Sequence, residues 1–274
     1  MFEKVFENID RTIPLVHNIT NYVTVNDVAN MILACGGSPI MADDMAEVEE
    51  ITSICNSLVI NIGTLNDRTI HSMILAGKKA NELGNPVILD PVGAGASKLR
   101  TNTVYELLNE VKFTVIRGNI SEIKTVYAGS GSTQGVDASI EDLVTNHNLD
   151  EMIELAQRLS RRTGAVIAIT GEIDIVADEK KVYMIRNGHE IMSKITGTGC
   201  MLTAVIGAYC GANKGDTLDS TAAAVSAMGL CGELAYEKLL KTNGGTSSFR
   251  TFLIDYMSVM NHSLLEKGSK IETR

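Results

Sequence analysis

Residues 85–97 read NPVILDPVGAGAS: a short apolar run that stops at an acid, a proline and a glycine-rich turn. The run is too short for a buried helix and carries β-branched residues, so it predicts a buried strand ending at Asp90. The same pattern recurs on either side. PLVHNI (14–19), SPIMA (38–42), SLVINIG (57–63), FTVIRG (113–118) and AVIAIT (165–170) are further short runs, each followed by a longer stretch with polar positions. Apolar strands alternating with helical segments are the mark of βα units in a parallel sheet covered on both faces. The spacing predicts crossover helices over 20–34, 44–56, 65–83, 98–110, 119–127 and 150–163. The expected fold is α/β, a central, mostly parallel sheet flanked by helices on both faces, in a single domain over 1–274.

Beyond AVIAIT the pattern changes. EIDIVADEKKVYMIRNG (172–188) predicts two strands joined by the polar turn DEKK, a hairpin at a sheet edge. From about 199 onward the chain is expected to be helical, most clearly in TAAAVSAMGLCGELAYEKLL (221–240) and SFRTFLIDYMSVMNHSLLEK (248–267). The glycine and serine cluster YAGSGSTQGVDAS (127–139) predicts a surface loop.

Composition removes several function classes. The 24 Lys and Arg against 33 Asp and Glu give a net charge of −9, and no basic run is interleaved with aromatics, which argues against nucleic acid and anionic membrane as partners. No uninterrupted apolar stretch is long enough to span a bilayer. The N-terminus MFEKVFENIDRTIP is charged among its first apolar residues and lacks the core of a secretory signal. Five cysteines, an odd count without a C-x-x-C pair, read as free thiols and not as a disulfide framework or zinc site. A cytoplasmic location is expected.

In an open parallel sheet the ligand sits beyond the carboxyl ends of the strands. The residues there are Asn61-Ile62-Gly63, Asp90-Pro91-Val92-Gly93, Arg117-Gly118-Asn119 and Thr170-Gly171-Glu172. Asp90 could help hold Mg²⁺, or it could simply open an Asp-Pro turn. Arg117 offers a planar fork suited to phosphate. Asn119 and Glu122, three residues apart, fit a helix capping box, which leaves an arginine at the end of a core strand without a local acidic partner. His17 could serve as a base or as a structural group at a strand end.

The segment SKITGTGCMLTA (193–204) predicts a strand, a glycine turn and a helix start. That arrangement aims free N–H groups and the positive end of a helix dipole at an anion, although close packing of the helix on the sheet would also favour the glycines. The P-loop pattern is absent. Cys200 would sit in the first turn, where the dipole lowers a thiol pKa from about 8.5 and some thiolate is expected near neutral pH. Met41, at a strand end, could lie against a small aromatic heterocycle.

The ordered blocks PLVHNITNYVTVNDVAN, GGSPIMA, LVINIGTL, NPVILDPVGAGAS, VIRGNISEI, VIAITGEIDIV and KITGTGCMLTAVIGA resemble hydroxyethylthiazole kinase, a ribokinase-like family, over about residues 13–210. The resemblance implies ATP-dependent phosphorylation of the alcohol of 4-methyl-5-(2-hydroxyethyl)thiazole, a thiamine salvage step. It implies Met41, Gly197 and Asn21 against the thiazole, Arg117 and Thr170 at ATP, and Asp90 and Glu122 near Mg²⁺ and phosphate. It further implies a homotrimer with the substrate pocket at a subunit boundary. Most ribokinase-like enzymes have Asp after the glycine turn as base, and Cys200 departs from them while agreeing with this family. Two other functions remain open from the sequence: an ATP- or ADP-dependent dehydratase of hydrated nicotinamide cofactors, which would normally carry the Asp-bearing turn that this chain lacks, and a catalytically silent binding protein.

Overall fold

The computed structural model describes residues 1–129 and 144–274. Most of the loop predicted over 127–139 lies outside them. The chain order is α1 (Glu3–Thr12), β1 (Leu15–Ile19), α2 (Val25–Ala34), β2 (Ser38–Met41), α3 (Val48–Ile54), β3 (Ser57–Asn61), α4 (Asp67–Glu82) and β4 (Val87–Asp90). It continues with α5 (Lys98–Glu110), β5 (Val115–Gly118), α6 (Ile120–Gly129), α7 (Leu149–Thr163), β6 (Val166–Ile169), β7 (Asp174–Ala177) and β8 (Val182–Ile185). A 3₁₀ turn at Glu190–Lys194 leads to α8 (Thr198–Ala212), α9 (Thr217–Thr242), α10 (Thr246–Ser258), α11 (His262–Gly268) and β9 (Ile271–Thr273).

All six predicted crossovers are helices. Their ends follow local chemistry: α5 starts where Ser97 Oγ accepts from Arg100 N at 3.3 Å, and α7 stops at Gly164, whose φ of +73° suits glycine. Among the described residues the nine strands form one sheet in the order β2-β1-β3-β4-β5-β6-β7-β8-β9. The first six are parallel and the last three antiparallel. Two expectations are corrected. The β7–β8 hairpin is not the sheet edge, because the chain returns after its helices to add β9 beside β8. The approach to the 197–199 glycine turn is a 3₁₀ turn and not a strand, started where His189 Nδ1 accepts from Ile191 N at 3.2 Å.

Side chains alternate across each strand. Val59, Ile88, Val115 and Ala168 join the core beneath α8 and α9, whereas Leu58, Ile60, Leu89, Ile116 and Ile167 pack with α4, α5, α6 and α7. Two residues further along each strand, Asn61, Asp90, Arg117 and Thr170 therefore fall on the α8 face. α8 is apolar on every side and buried from Met201 to Gly211, as expected of a helix enclosed by others and by the sheet. Gly207 lets it lie directly on β3: a Cβ there would sit 2.5 Å from Val59 Cγ2, and Ser57 Oγ donates to Gly207 O at 2.7 Å. No helix among the described residues is long and apolar enough to cross a membrane.

Candidate active site

β1 is flanked by β2 on one side and β3 on the other, so the direction in which the chain adds strands reverses between β1 and β3. A crevice forms at such a switch point beyond the strand ends. The first turn of α8 stands over it. Asn21, just after β1, and Asn61, the last residue of β3, each donate from Nδ2 to Cys200 Sγ at 3.3 Å. Asn61 Nδ2 also donates to Asp90 Oδ2 at 2.7 Å, which Thr203 Oγ1 reaches from the next turn of α8 at 2.9 Å.

Arg117 completes the cluster. Its Nη1 lies 3.6 Å from Asp90 Oδ1 and its Nη2 donates to Thr170 Oγ1 at 2.7 Å. The acid that the local sequence lacked is thus supplied by the neighbouring strand. Asp90 is fully buried, and burial pushes its carboxyl up to about 6 against the pull of Arg117, while Glu122 adds to the rise and bonds from Thr203 and Asn61 oppose it. Its Oδ1 has no hydrogen-bond partner. Asp90 also begins a turn, with Val92 N donating to Asp90 O at 2.9 Å, as the Asp-Pro reading of this residue expects.

The capping box is present: Glu122 N donates to Asn119 Oδ1 at 2.9 Å, and Asn119 N to Glu122 Oε2 at 2.8 Å. Glu122 Oε1 accepts from Gly93 N at 2.8 Å, which ties the loop after Asp90 to α6. Among the described residues no group of three or more His, Cys, Asp and Glu side chains converges to hold a metal. A pair of carboxylates is nonetheless what Mg²⁺ uses when phosphate and water supply its remaining ligands.

The two glycines of the 197–199 turn serve different needs, a backbone conformation at Gly197 and room for Arg117 at Gly199. Gly197 caps α8 with φ +90°, and a Cβ on it would lie 2.6 Å from Thr24 Cγ2. A Cβ on Gly199 would lie 2.5 Å from Arg117 Nη1. No side chain caps the helix, so its first N–H groups remain free for a ligand. The thiolate expected at Cys200 is corrected: burial raises the thiol above its ordinary range and the Asp90 charge adds to it, outweighing hydrogen bonds from Thr24, Asn21 and Asn61. A dipole acts only through its own turn, whereas Asp90 is a full charge in a dry site.

A cavity of about 770 Å³ opens beside this turn. Arg117, Thr170, Thr198 and Gly199 form its polar end, and Met192, Leu202, Val225 and Met228 its apolar wall. His189, also on the wall, stacks on Tyr236 with ring centroids 3.6 Å apart. Asp174 lines the cavity and accepts from Gly171 N at 2.9 Å; burial pushes its carboxyl up to about 7. A carboxyl raised from its unfolded value of 3.8 costs stability progressively as pH rises from there to about 7. Asp174→Asn is therefore expected to match the parent below pH 4 and to exceed it by about 1 kcal/mol above pH 7, a value discounted for contact with the cavity. Urea melts at the two pH values measure this, and equal stability at both would show that the charge is not penalised.

Met41 is the predicted site residue not brought to the cluster. It ends the edge strand β2, partly exposed, and pairs with Asn18 across from β3. His17 is structural: fully buried, it bonds Thr52 Oγ1 and Ala42 O, each at 2.9 Å, and burial lowers its pKa. The sequence places Asn61 among the strand-end residues without a role, and does not point to Thr203 or Asp174. Asn61 carried a signal, a polar residue closing an apolar strand, whereas Thr203 is concealed inside an apolar helix.

A family model described as the hydroxyethylthiazole kinase family matches residues 6–263. The hydroxyethylthiazole kinase of Clostridium acetobutylicum is 59% identical over 273 residues, covering 100% of both chains. That of Clostridium tetani is 54% identical over 258 residues, covering 94% of this chain and 92% of its own. The solved hydroxyethylthiazole kinase from Pyrococcus horikoshii superposes with a TM-score of 0.88 at 34% identity, covering 100% of this chain and 98% of that one. A ribokinase-like protein of Enterococcus faecalis shares the fold, with a TM-score of 0.62 at 14% identity, over 93% of this chain and 88% of its own. Full-length identity to kinases of one name, together with a helix N-terminus, an arginine and a buried acid meeting at the switch point, leads to one conclusion: this chain belongs to the hydroxyethylthiazole kinase family.

Proposed function

We propose that the protein transfers the γ-phosphoryl group of ATP to the hydroxyethyl oxygen of 4-methyl-5-(2-hydroxyethyl)thiazole, as a thiamine salvage kinase. The observation that carries this reading is the uncapped N-terminus of α8, where Thr198 and Gly199 line the 770 Å³ cavity together with Arg117 and Cys200 follows them in the same turn. The cavity suits ATP, with an apolar wall for the base and Arg117 and Thr170 for phosphate. The thiazole lies on the other side of the turn, near Asn21 and Gly197. Phosphoryl transfer depends mainly on positioning and charge stabilisation, which the free N–H groups of α8 and the Arg117 guanidinium supply. A neutral thiol at Cys200 is then sufficient to orient the alcohol.

Asp90, with Oδ1 free of hydrogen bonds, and Glu122 are the side chains that would hold Mg²⁺ or its waters, and the ion would neutralise phosphate charge. The exposed apolar residues Tyr22, Val23 and Met45, on loops at the carboxyl ends of β1 and β2, and Met41 at the end of β2 support a homotrimer in which Met41 meets the thiazole at a subunit boundary. Residues 1–274 act as one kinase domain, and five free cysteines suit the cytoplasm.

Incubation with Mg·ATP and the thiazole alcohol is expected to yield ADP and phosphorylated thiazole in equal amounts. No turnover of this alcohol, or conversion of a hydrated nicotinamide cofactor instead, would replace the reading. Sedimentation should show a trimer; a monomer that binds thiazole normally would remove the interface.

Variants at Cys200 test its role. Cys200→Ser is expected to stay within about 100-fold of the parent, since the positioned donors and Arg117 remain. In Cys200→Asp the new carboxylate meets the amide donors of Asn21 and Asn61, but also Asp90, so its activity should rise towards the alkaline end of pH 6–9. A phosphorylated Cys200 in intact-protein mass spectra during turnover would instead make it a nucleophile.

A further inference from the structure

Asn61 is buried, and its carboxamide is fully used. Oδ1 accepts from Gly63 N at 2.9 Å and from Asn21 Nδ2 at 3.0 Å, while the two Nδ2 hydrogens go to Asp90 Oδ2 and Cys200 Sγ. Asn21 is used as completely: its second Nδ2 hydrogen goes to Cys200 Sγ, and its Oδ1 accepts from Thr24 N at 3.1 Å and Thr24 Oγ1 at 3.0 Å. Neither amide can be turned over. A flipped Asn61 would set its oxygen against the Asp90 carboxylate and its NH₂ against Gly63 N–H.

Two consequences follow for the neighbours. The sulfur of Cys200 accepts two N–H groups, so the S–H of the neutral thiol is directed away from both amides. Asp90 takes Asn61 and Thr203 on Oδ2, which leaves Oδ1 without a hydrogen bond, 3.6 Å from Arg117 Nη1. Among the described residues, Asn61 is the one side chain hydrogen-bonded to both Cys200 and Asp90.

We propose that Asn61 is a positioning residue for phosphoryl transfer, setting the orientation of the Cys200 thiol relative to the Asp90 carboxylate through its two N–H bonds. The proposal rests on the kinase reading of the site. A residue that merely filled space would affect stability alone. Asn61 as a positioning residue affects the chemical step, and does so through Cys200.

A double-mutant cycle of Asn61→Ala and Cys200→Ala, followed in both kinetics and thermal unfolding, tests it. Asn61→Ala is expected to lower kcat about 10- to 100-fold with KM for ATP nearly unchanged, since small misplacements at a reacting centre cost rates of that order. In the Cys200→Ala background the same change should lower kcat by less than about threefold, while Tm should still fall, because Asn61 keeps its bonds to Asp90, Gly63 and Asn21 there. Asn61→Leu keeps the volume but lacks both donors, so it should fall as far as alanine; it carries the comparison if Asn61→Ala does not fold. Unchanged kcat in either folded Asn61 variant, or losses that add to those of Cys200→Ala, would overturn the proposal. An active parent with an additive cycle refutes only the role of Asn61, whereas a parent inactive on the thiazole alcohol refutes the kinase reading and the proposal with it.

Discussion

Arg117→Ala is expected to lower kcat/KM for ATP by about 10²–10³, the usual cost of removing one preorganised donor from a transferring group. The guanidinium is held by Thr170 on one side and Asp90 on the other, and it lies against the backbone of α8 at Gly199. Lysine could restore the charge but not the fork, so Arg117→Lys should fall between the alanine variant and the parent. The variant also leaves Asp90 buried without its cation. Breaking a buried pair can cost 3–5 kcal/mol, but a carboxyl already raised to about 6 can bind a proton instead, which limits the loss to about 1–3 kcal/mol. Because the penalty applies to the charged form, the stability difference from the parent should be larger at pH 8 than at pH 5. Steady-state kinetics with ATP varied, and urea melts at the two pH values, give both quantities. Parent-like ATP kinetics in the folded variant would remove Arg117 from the site.

Gly199→Ala is expected to abolish most activity while sparing the fold. In a first helical turn alanine is intrinsically better than glycine by about 0.5–1 kcal/mol. Here its Cβ would lie 2.5 Å from Arg117 Nη1 and 2.9 Å from Nη2. The end of a long side chain can move away at little cost in stability, but moving breaks the 2.7 Å bond to Thr170 and withdraws the guanidinium from the cavity. A loss of at least tenfold in kcat/KM for ATP should therefore accompany an unchanged or slightly raised Tm. In the Arg117→Ala background the same substitution should have almost no further kinetic effect, because the group it displaces is already absent. Gly197→Ala should behave differently and lose stability, since its φ of +90° strains any side chain and Thr24 blocks the Cβ. Full activity in a folded Gly199→Ala protein would show that Arg117 has room that the structure does not provide.

Much of this protein was determined by the order of residues alone. The strands β1 to β6 and the helices between them follow from short apolar runs alternating with amphipathic stretches, a periodicity that needs no tertiary information. Capping chemistry is equally local, which is why Asn119 and Glu122 mark a helix start in the sequence and in the structure alike. Asp90, Arg117 and Thr170 were legible as strand-end polar residues, and their two-residue offset from Val59-type core positions already assigns them to one face.

What only the tertiary structure decided arises between segments far apart in the chain. The sequence shows Asn21, Asn61, Asp90 and Cys200 as separate residues, up to 179 positions apart; the strand order that places β1 beside β3 and α8 above them makes them one hydrogen-bonded cluster. The protonation of Cys200 is decided in the same way, between distant segments. The helix dipole is a local property, read from the glycine turn, whereas burial and the Asp90 charge are imposed by packing. The edge strand β9 was likewise hidden, because three residues carry almost no periodic signal and pair only once β8 offers its free backbone groups.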